Sequence, residues 1–209
     1  DSAIVLGVDF LSKFIISGFQ SFKALSPEFC RPFDINRCGL NLGEAAATII
    51  YEKNKKSQIQ LTNGAIRNDA THISAPSRTG EGCYRALKNI LQNIDIEQIA
   101  FVNAHGTATP YNDAMEANAI VRAGLENLPV NSLKPYFGHT LGAAGVLESI
   151  ISIKALEENI VLKSMNFSEQ NFETKINISQ ENHFSDKKYF IKMLSGFGGV
   201  NAALIFEKL

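Results

Sequence analysis

The chain has 209 residues, 45% of them hydrophobic, enough for one core or for one half of a larger two-part fold. Its 20 basic side chains against 21 acidic ones leave a net charge of -1. That excludes the overall basic field which gathers phosphate backbones, and with it nucleic acid as an expected partner. No stretch approaches the ~20 apolar residues of a membrane span, and the opening residues lack the basic flank of a signal peptide, so no membrane association is expected.

The three cysteines, Cys30, Cys38 and Cys83, are odd in number and show no CxxC spacing. Neither a disulfide framework nor a metal site follows from them, and a reducing cytoplasm is the expected compartment.

In chain order, Ala3-Ile4-Val5-Leu6-Gly7-Val8 has the continuous apolar character of a buried parallel strand, as though the chain entered in mid-fold. Residues 14–25 place Phe14, Ile15, Phe19, Phe22 and Leu25 at roughly helical spacing, until Ser26-Pro27 breaks the pattern. A loop is expected over 30–43. Residues 44–52 read as a strand or a short helix, with a strand favoured, and the alternation over 59–62 predicts a second strand.

Tyr84, Leu87, Leu91 and Ile94 then recur at steps of three and four, so 80–94 is expected to be a helix with one apolar stripe against a sheet. Two strand, loop and helix units follow. The first is a strand over 99–102, a loop over 105–110, and a helix over 113–123 whose Asp113 and Glu116 suit its positive N-terminal end. The second is a strand over 129–133, a loop over 134–140, and a helix over 141–156 that is apolar around most of its circumference.

The apolar runs over 189–194 and 202–206, joined through Gly196-Phe197-Gly198-Gly199, predict a terminal hairpin. This alternation defines an α/β layered fold, in which ligands gather beyond the C-terminal ends of the strands. His105 and His139 both fall at such ends.

Three motifs carry chemistry: Val102-Asn103-Ala104-His105-Gly106-Thr107-Ala108-Thr109-Pro110 with Asp113; Lys134 with Gly138-His139-Thr140-Leu141-Gly142-Ala143-Ala144-Gly145 and Glu148; and Gly196-Phe197-Gly198-Gly199-Val200-Asn201. In this order they resemble the C-terminal half of a β-ketoacyl-acyl-carrier-protein synthase, of the two-histidine, type I/II-like condensing class in the thiolase superfamily. The resemblance implies a layered αβαβα fold of which this chain supplies mainly the C-terminal βαβαβαββ half. Residues 1–57 would end the N-terminal ketosynthase half, and 58–209 would form the C-terminal half.

The implied reaction is the decarboxylative Claisen condensation of malonyl on acyl carrier protein with an acyl thioester, in fatty acid or polyketide biosynthesis. His105 and His139 would donate to the thioester oxygen as negative charge builds there. Lys134 would tune the pair, with Glu148 and Asp113 supporting. Thr107, Thr109 and Ser74 would bind the pantetheine arm, Phe19 would line the acyl pocket, Phe197 would gate it, and Lys23 would meet the acidic carrier protein.

No cofactor is implied beyond the phosphopantetheine that carries the substrates, and the partners are the acyl carrier protein and a second copy in a homodimer. The family's nucleophilic cysteine belongs on a segment before the opening strand, so this segment alone is expected to be inactive. Leu42-Gly43-Glu44-Ala45-Ala46-Ala47, Ser195 and Val200 depart from the family pattern.

Competing classes fare worse. There is no GxGxxG, P-loop or GxSxG elbow. Ser195-Gly196-Phe197-Gly198-Gly199 lacks a thiolase's second cysteine, and His139 stands where the single-histidine initiating synthases carry asparagine. The alternative is a non-catalytic partner subunit like a chain length factor. His72 and His183 read as ordinary loop residues.

Overall fold

The computed structural model describes residues 1–53, 57–171 and 173–209. Strand β1 (Ser2–Asp9) leads through helix α1 (Lys13–Ser21) and an ordered loop to β2 (Ala45–Glu52). Ser12 caps α1, its hydroxyl accepting from the amide of Ile15 at 3.2 Å.

The expected parallel, buried strand is corrected here. β1 runs antiparallel to β2 in a separate two-stranded sheet, and of its residues only Gly7 is buried. A continuous apolar run signals two faces that favour burial, but within this chain one neighbouring strand and one helix cover only part of them. Gly7 marks the covered spot, where an added Cβ would lie 3.0 Å from Ala143 Cα.

The favoured strand over 44–52 is β2, and the alternation at Ile59 opens β3 (Ile59–Asn68). After β3 come α2 (Glu81–Ile90), β4 (Ile99–Asn103), α3 (Pro110–Arg122), β5 (Val130–Asn131) and the single-turn α4 (Lys134–Phe137). Then follow α5 (Ala144–Glu157), β6 (Ile160–Val161), β7 (His183–Phe184) and the hairpin of β8 (Tyr189–Gly196) and β9 (Val200–Lys208). The expected loop over 134–140 therefore begins as a helical turn, with Pro135 at its start supplying a preset φ.

One five-stranded mixed sheet, in the order β3-β9-β8-β4-β5, organises the molecule. β4 is parallel to β5 and β8, while β9 is antiparallel to β8 and β3. From β3 onward the principal elements run βαβαβαββ. The expected division after residue 57 follows residues 54–56, which lie outside the described residues.

Alternation along the strands sends side chains to two cores. Ile191, Met193, Ala203 and Ile205 join Leu87, Ile90 and Ile120 on the side of α2 and α3. On the other side Phe101, Phe190 and Phe206 stack at centroid separations of 5.2 and 4.7 Å and meet Ala155 and Leu156 of α5. Lys192 follows Phe190 by two residues, so the same alternation turns its side chain to the α5 side.

Candidate active site

The loop after β4 is shaped by two residues with positive φ, Gly106 at 45° and Ala108 at 61°. A Cβ at Gly106 would lie 2.6 Å from that of Ser132, so glycine permits the close approach of the two histidine-bearing loops. The loop is held from α3. Glu116 accepts the amides of His105 and Gly106, each at 2.7 Å, while Asp113 accepts those of Thr107 at 3.1 Å and Phe33 at 2.7 Å.

These carboxylates were expected to complement the end of their own helix. Asp113 does lie in the first turn of α3, and both carboxylates also turn to neighbouring loops, where buried backbone amides take them as acceptors. Burial pushes the Glu116 carboxyl up to about 7, with the charge of Asp113 adding to the rise, and burial lifts Asp113 to about 6.

His139 follows α4 and is fixed by the 30–43 loop: its amide donates to Asn41 O at 2.7 Å and its carbonyl accepts from Gly43 at 3.1 Å. Its Nδ1 accepts from the Leu141 amide at 3.1 Å, which leaves the ring proton on Nε2. The rings of His105 and His139 lie 5.0 Å apart, edge to face at 81°. Burial, reinforced by the Lys134 charge, depresses His139 to about 3 and His105 well below its ordinary value, so both imidazoles are neutral near pH 7. Among the described residues His105 Nδ1 is buried without a hydrogen-bond partner.

Behind the pair, Lys134 Nζ reaches Glu148 Oε1 at 2.8 Å. The other oxygen of that carboxylate is held by Lys192, which sequence reasoning missed. The available signal was a lone cation within an apolar strand, Phe190-Ile191-Lys192-Met193-Leu194. Burial works to raise Glu148, but the two ammonium groups outweigh it and hold the carboxyl below its ordinary range.

A cavity of about 810 Å³ brings together His105, His139, Thr107, Thr109, Ser74, Phe19, Phe197 and Lys23. Lys134, Glu148 and Asp113 do not line it; they are buried behind the histidines. The Thr107 and Thr109 hydroxyls lie 2.8 Å apart and so face one way, although the turn at Ala108 is not extended. Ser74 donates its amide to His72 Nδ1 at 3.1 Å. Phe197 is half exposed, 6.0 Å from Phe19 and 5.5 Å from Phe22 between ring centroids.

Among the cysteines, Cys38 lines the cavity and lies 3.0 Å from the Ser26 hydroxyl. Cys30 and Cys83 are buried, and burial pushes their thiols up to about 11 and about 12, so neither carries a thiolate near neutrality. The arrangement can present neutral imidazole N–H groups to an oxygen that acquires negative charge within a largely apolar chamber.

Residues 58–168 match the model of the β-ketoacyl synthase C-terminal domain. The chain belongs to the β-ketoacyl synthase family. It is 34% identical to 3-oxoacyl-[acyl-carrier-protein] synthase 2 of Rhizobium meliloti, an alignment that covers 92% of this chain and 50% of that protein. A β-ketoacyl synthase crystal structure from Burkholderia phymatum superposes with a TM-score of 0.92 at 32% identity, over 100% of this chain and 55% of the other. A chain from the complex of the ketosynthase ApeO with its chain length factor ApeC, from Xenorhabdus doucetiae, gives 0.89 at 33%, over 100% and 53%. The thiolase-like α/β fold expected from the motifs is thus the fold observed. This β-ketoacyl synthase chain spans about half the length of the relatives it matches.

Proposed function

We propose that this chain carries the decarboxylation site of a 3-oxoacyl-[acyl-carrier-protein] synthase, an acyltransferase that condenses malonyl on a carrier protein with an acyl thioester. The observation that carries the reading is the buried, edge-to-face pair of His105 and His139 lining a cavity of about 810 Å³. The R. meliloti relative is a 3-oxoacyl-[acyl-carrier-protein] synthase 2, and the acyl carrier protein in that name supports such a protein as the partner.

Decarboxylation breaks the bond between the malonyl methylene carbon and its carboxylate. Carbon dioxide leaves, and the electron pair passes into an enolate whose charge rests on the thioester oxygen. Donors aimed at that oxygen stabilise the enolate more than the ground state. His139 offers Nε2–H, its Nδ1 being occupied by the Leu141 amide. The enolate carbon then attacks the primer thioester on the family's cysteine, expelling the thiolate, with that cysteine on the half of the fold that precedes this one.

Residues 1–57 end the N-terminal half on this reading and 58–209 form the C-terminal half, with a homodimer as the working assembly. Thr107, Thr109 and Ser74 bind the pantetheine arm; Phe197 moves on Phe19 and Phe22 as the primer loads. Lys23, at the cavity wall, contacts the carrier. A non-catalytic role of the chain-length-factor kind is disfavoured, since such a subunit has no use for two desolvated histidines backed by buried ion pairs.

The test is carried out on the full-length protein. His105→Ala and His139→Ala each lower malonyl-carrier decarboxylation by about 10²–10³, the usual effect of losing one oxyanion donor. Loading of radiolabelled acyl primer persists in both. Normal malonyl turnover in either variant refutes the assignment.

A further inference from the structure

A second lysine shares the carboxylate that Lys134 uses. Lys192 Nζ contacts Glu148 Oε2, and its next neighbour is Ala104 O at 3.5 Å, the carbonyl immediately before His105. All three side chains are closed to solvent, Lys134 and Lys192 at 0% and Glu148 at 2% exposure. Two ammonium groups on one carboxylate make a cluster with a formal charge of +1.

Burying one pair would balance its charges; burying a third charge carries a desolvation penalty offset only by a carboxylate that it shares with Lys134. An apolar residue at 192 would leave Lys134 and Glu148 paired and spare that penalty. The cation therefore costs stability where it sits, and its placement directly behind the histidine loop suggests what it offers in return. Resting on the reading above, we propose that Lys192 is a positioning residue, holding a second positive charge beneath His105 and His139 that adds to burial and Lys134 in keeping the imidazoles neutral and favours the anionic enolate at their outer faces.

The groups facing Lys192 are Glu148 on α5, Lys134 on α4, Glu116 with Asp113 behind it on α3, and the two histidines. Burial draws the Lys192 ammonium down to about 8, against the opposing pull of Glu148. Above that pH Lys192 loses its charge and leaves Lys134 paired with Glu148. A folded value below the ordinary 10.5 also means that the unfolded chain binds this proton more tightly. Stability therefore rises with pH between about 8 and 10.5 on account of this group.

The experiment compares wild type with Lys192→Met and Lys192→Arg in the full-length protein. For Lys192→Met the expected result is a melting temperature equal to or above that of wild type at pH 7. With malonyl-carrier protein as substrate, kcat for decarboxylation falls about ten-fold, the scale of one unit charge acting through a poorly screened interior, while KM is unchanged. Wild-type kcat declines above about pH 8, Lys192→Met shows no such limb, and Lys192→Arg retains activity with the limb displaced upward.

A second readout needs no turnover. The ¹⁵N-histidine titrations of His105 and His139 move to higher pH in Lys192→Met. Unmoved histidine titrations, or an alkaline limb that persists in Lys192→Met, overturn the inference. Absence of malonyl decarboxylation in the wild type would instead refute the proposed function, with the histidine titrations still deciding the role of the charge.

Discussion

At the scale of single residues, the site depends on groups whose state is set by burial more than by chemistry of their own. His139 illustrates this: its depressed value, about 3, follows from desolvation with Lys134 nearby, and its tautomer follows from one backbone amide. Its Cε1 proton resonance is expected to show no titration between pH 5 and 8, because a folded-state value that low leaves the ring uncharged throughout. A midpoint near 6.5 would contradict the buried, cation-backed environment.

The histidine and lysine positions were legible in the sequence because glycine-punctuated motifs surround them. Lys192 was not, since a single cation in an apolar strand says nothing about which carboxylate it meets. Glu116 was visible only as an acid near a helix start. Its acceptance of the His105 and Gly106 amides depends on a loop that folds back over α3.

At the scale of elements, the turn between β8 and β9 sets the aspect of Phe197 towards the cavity. Gly198 and Gly199 both adopt positive φ, at 78° and 76°. An added Cβ at Gly198 meets nothing within 4 Å, whereas one at Gly199 would lie 2.6 Å from Asp69 Oδ1. Gly198→Ala is therefore expected to cost about 1 kcal/mol, from backbone conformation alone. Gly199→Ala should cost measurably more in urea denaturation, because the Asp69 carboxylate must also move. Equal losses would show that the turn adapts freely.

Periodicity gave the helices α2, α3 and α5 and the hairpin, since an apolar stripe or alternation reports directly on one covered face. It did not give α4, a single helical turn too short to leave a periodic signature. It also misread β1, whose apolar run has no feature that tells parallel from antiparallel pairing.

At the scale of the whole molecule, the two-stranded sheet leaves apolar surface uncovered within this chain. Ile4 and Ile50, paired across β1 and β2, are 72% and 62% exposed, and Phe14 on α1 is 87% exposed. Surface of this kind marks contact with another folded element. The chain expressed by itself is expected to bind a hydrophobic dye and to associate with rising concentration, and Ile4→Ser with Ile50→Ser should weaken both effects. A monodisperse, dye-free monomer in sedimentation experiments would show that the sheet face needs no cover.

Sequence alone determined the order of the longer strands and helices and the residues that mark the family, because both are written in local patterns of hydrophobicity and in short glycine-framed motifs. Tertiary structure alone decided that Glu148 is shared by two lysines, that α3 holds the histidine loop by its carboxylates, and that His139 carries its proton on Nε2. Those facts depend on which buried donors and acceptors meet when distant segments pack. Each such group must find a partner in the interior, but the pairing is fixed by the approach of the backbones and not by any residue's neighbours in the chain.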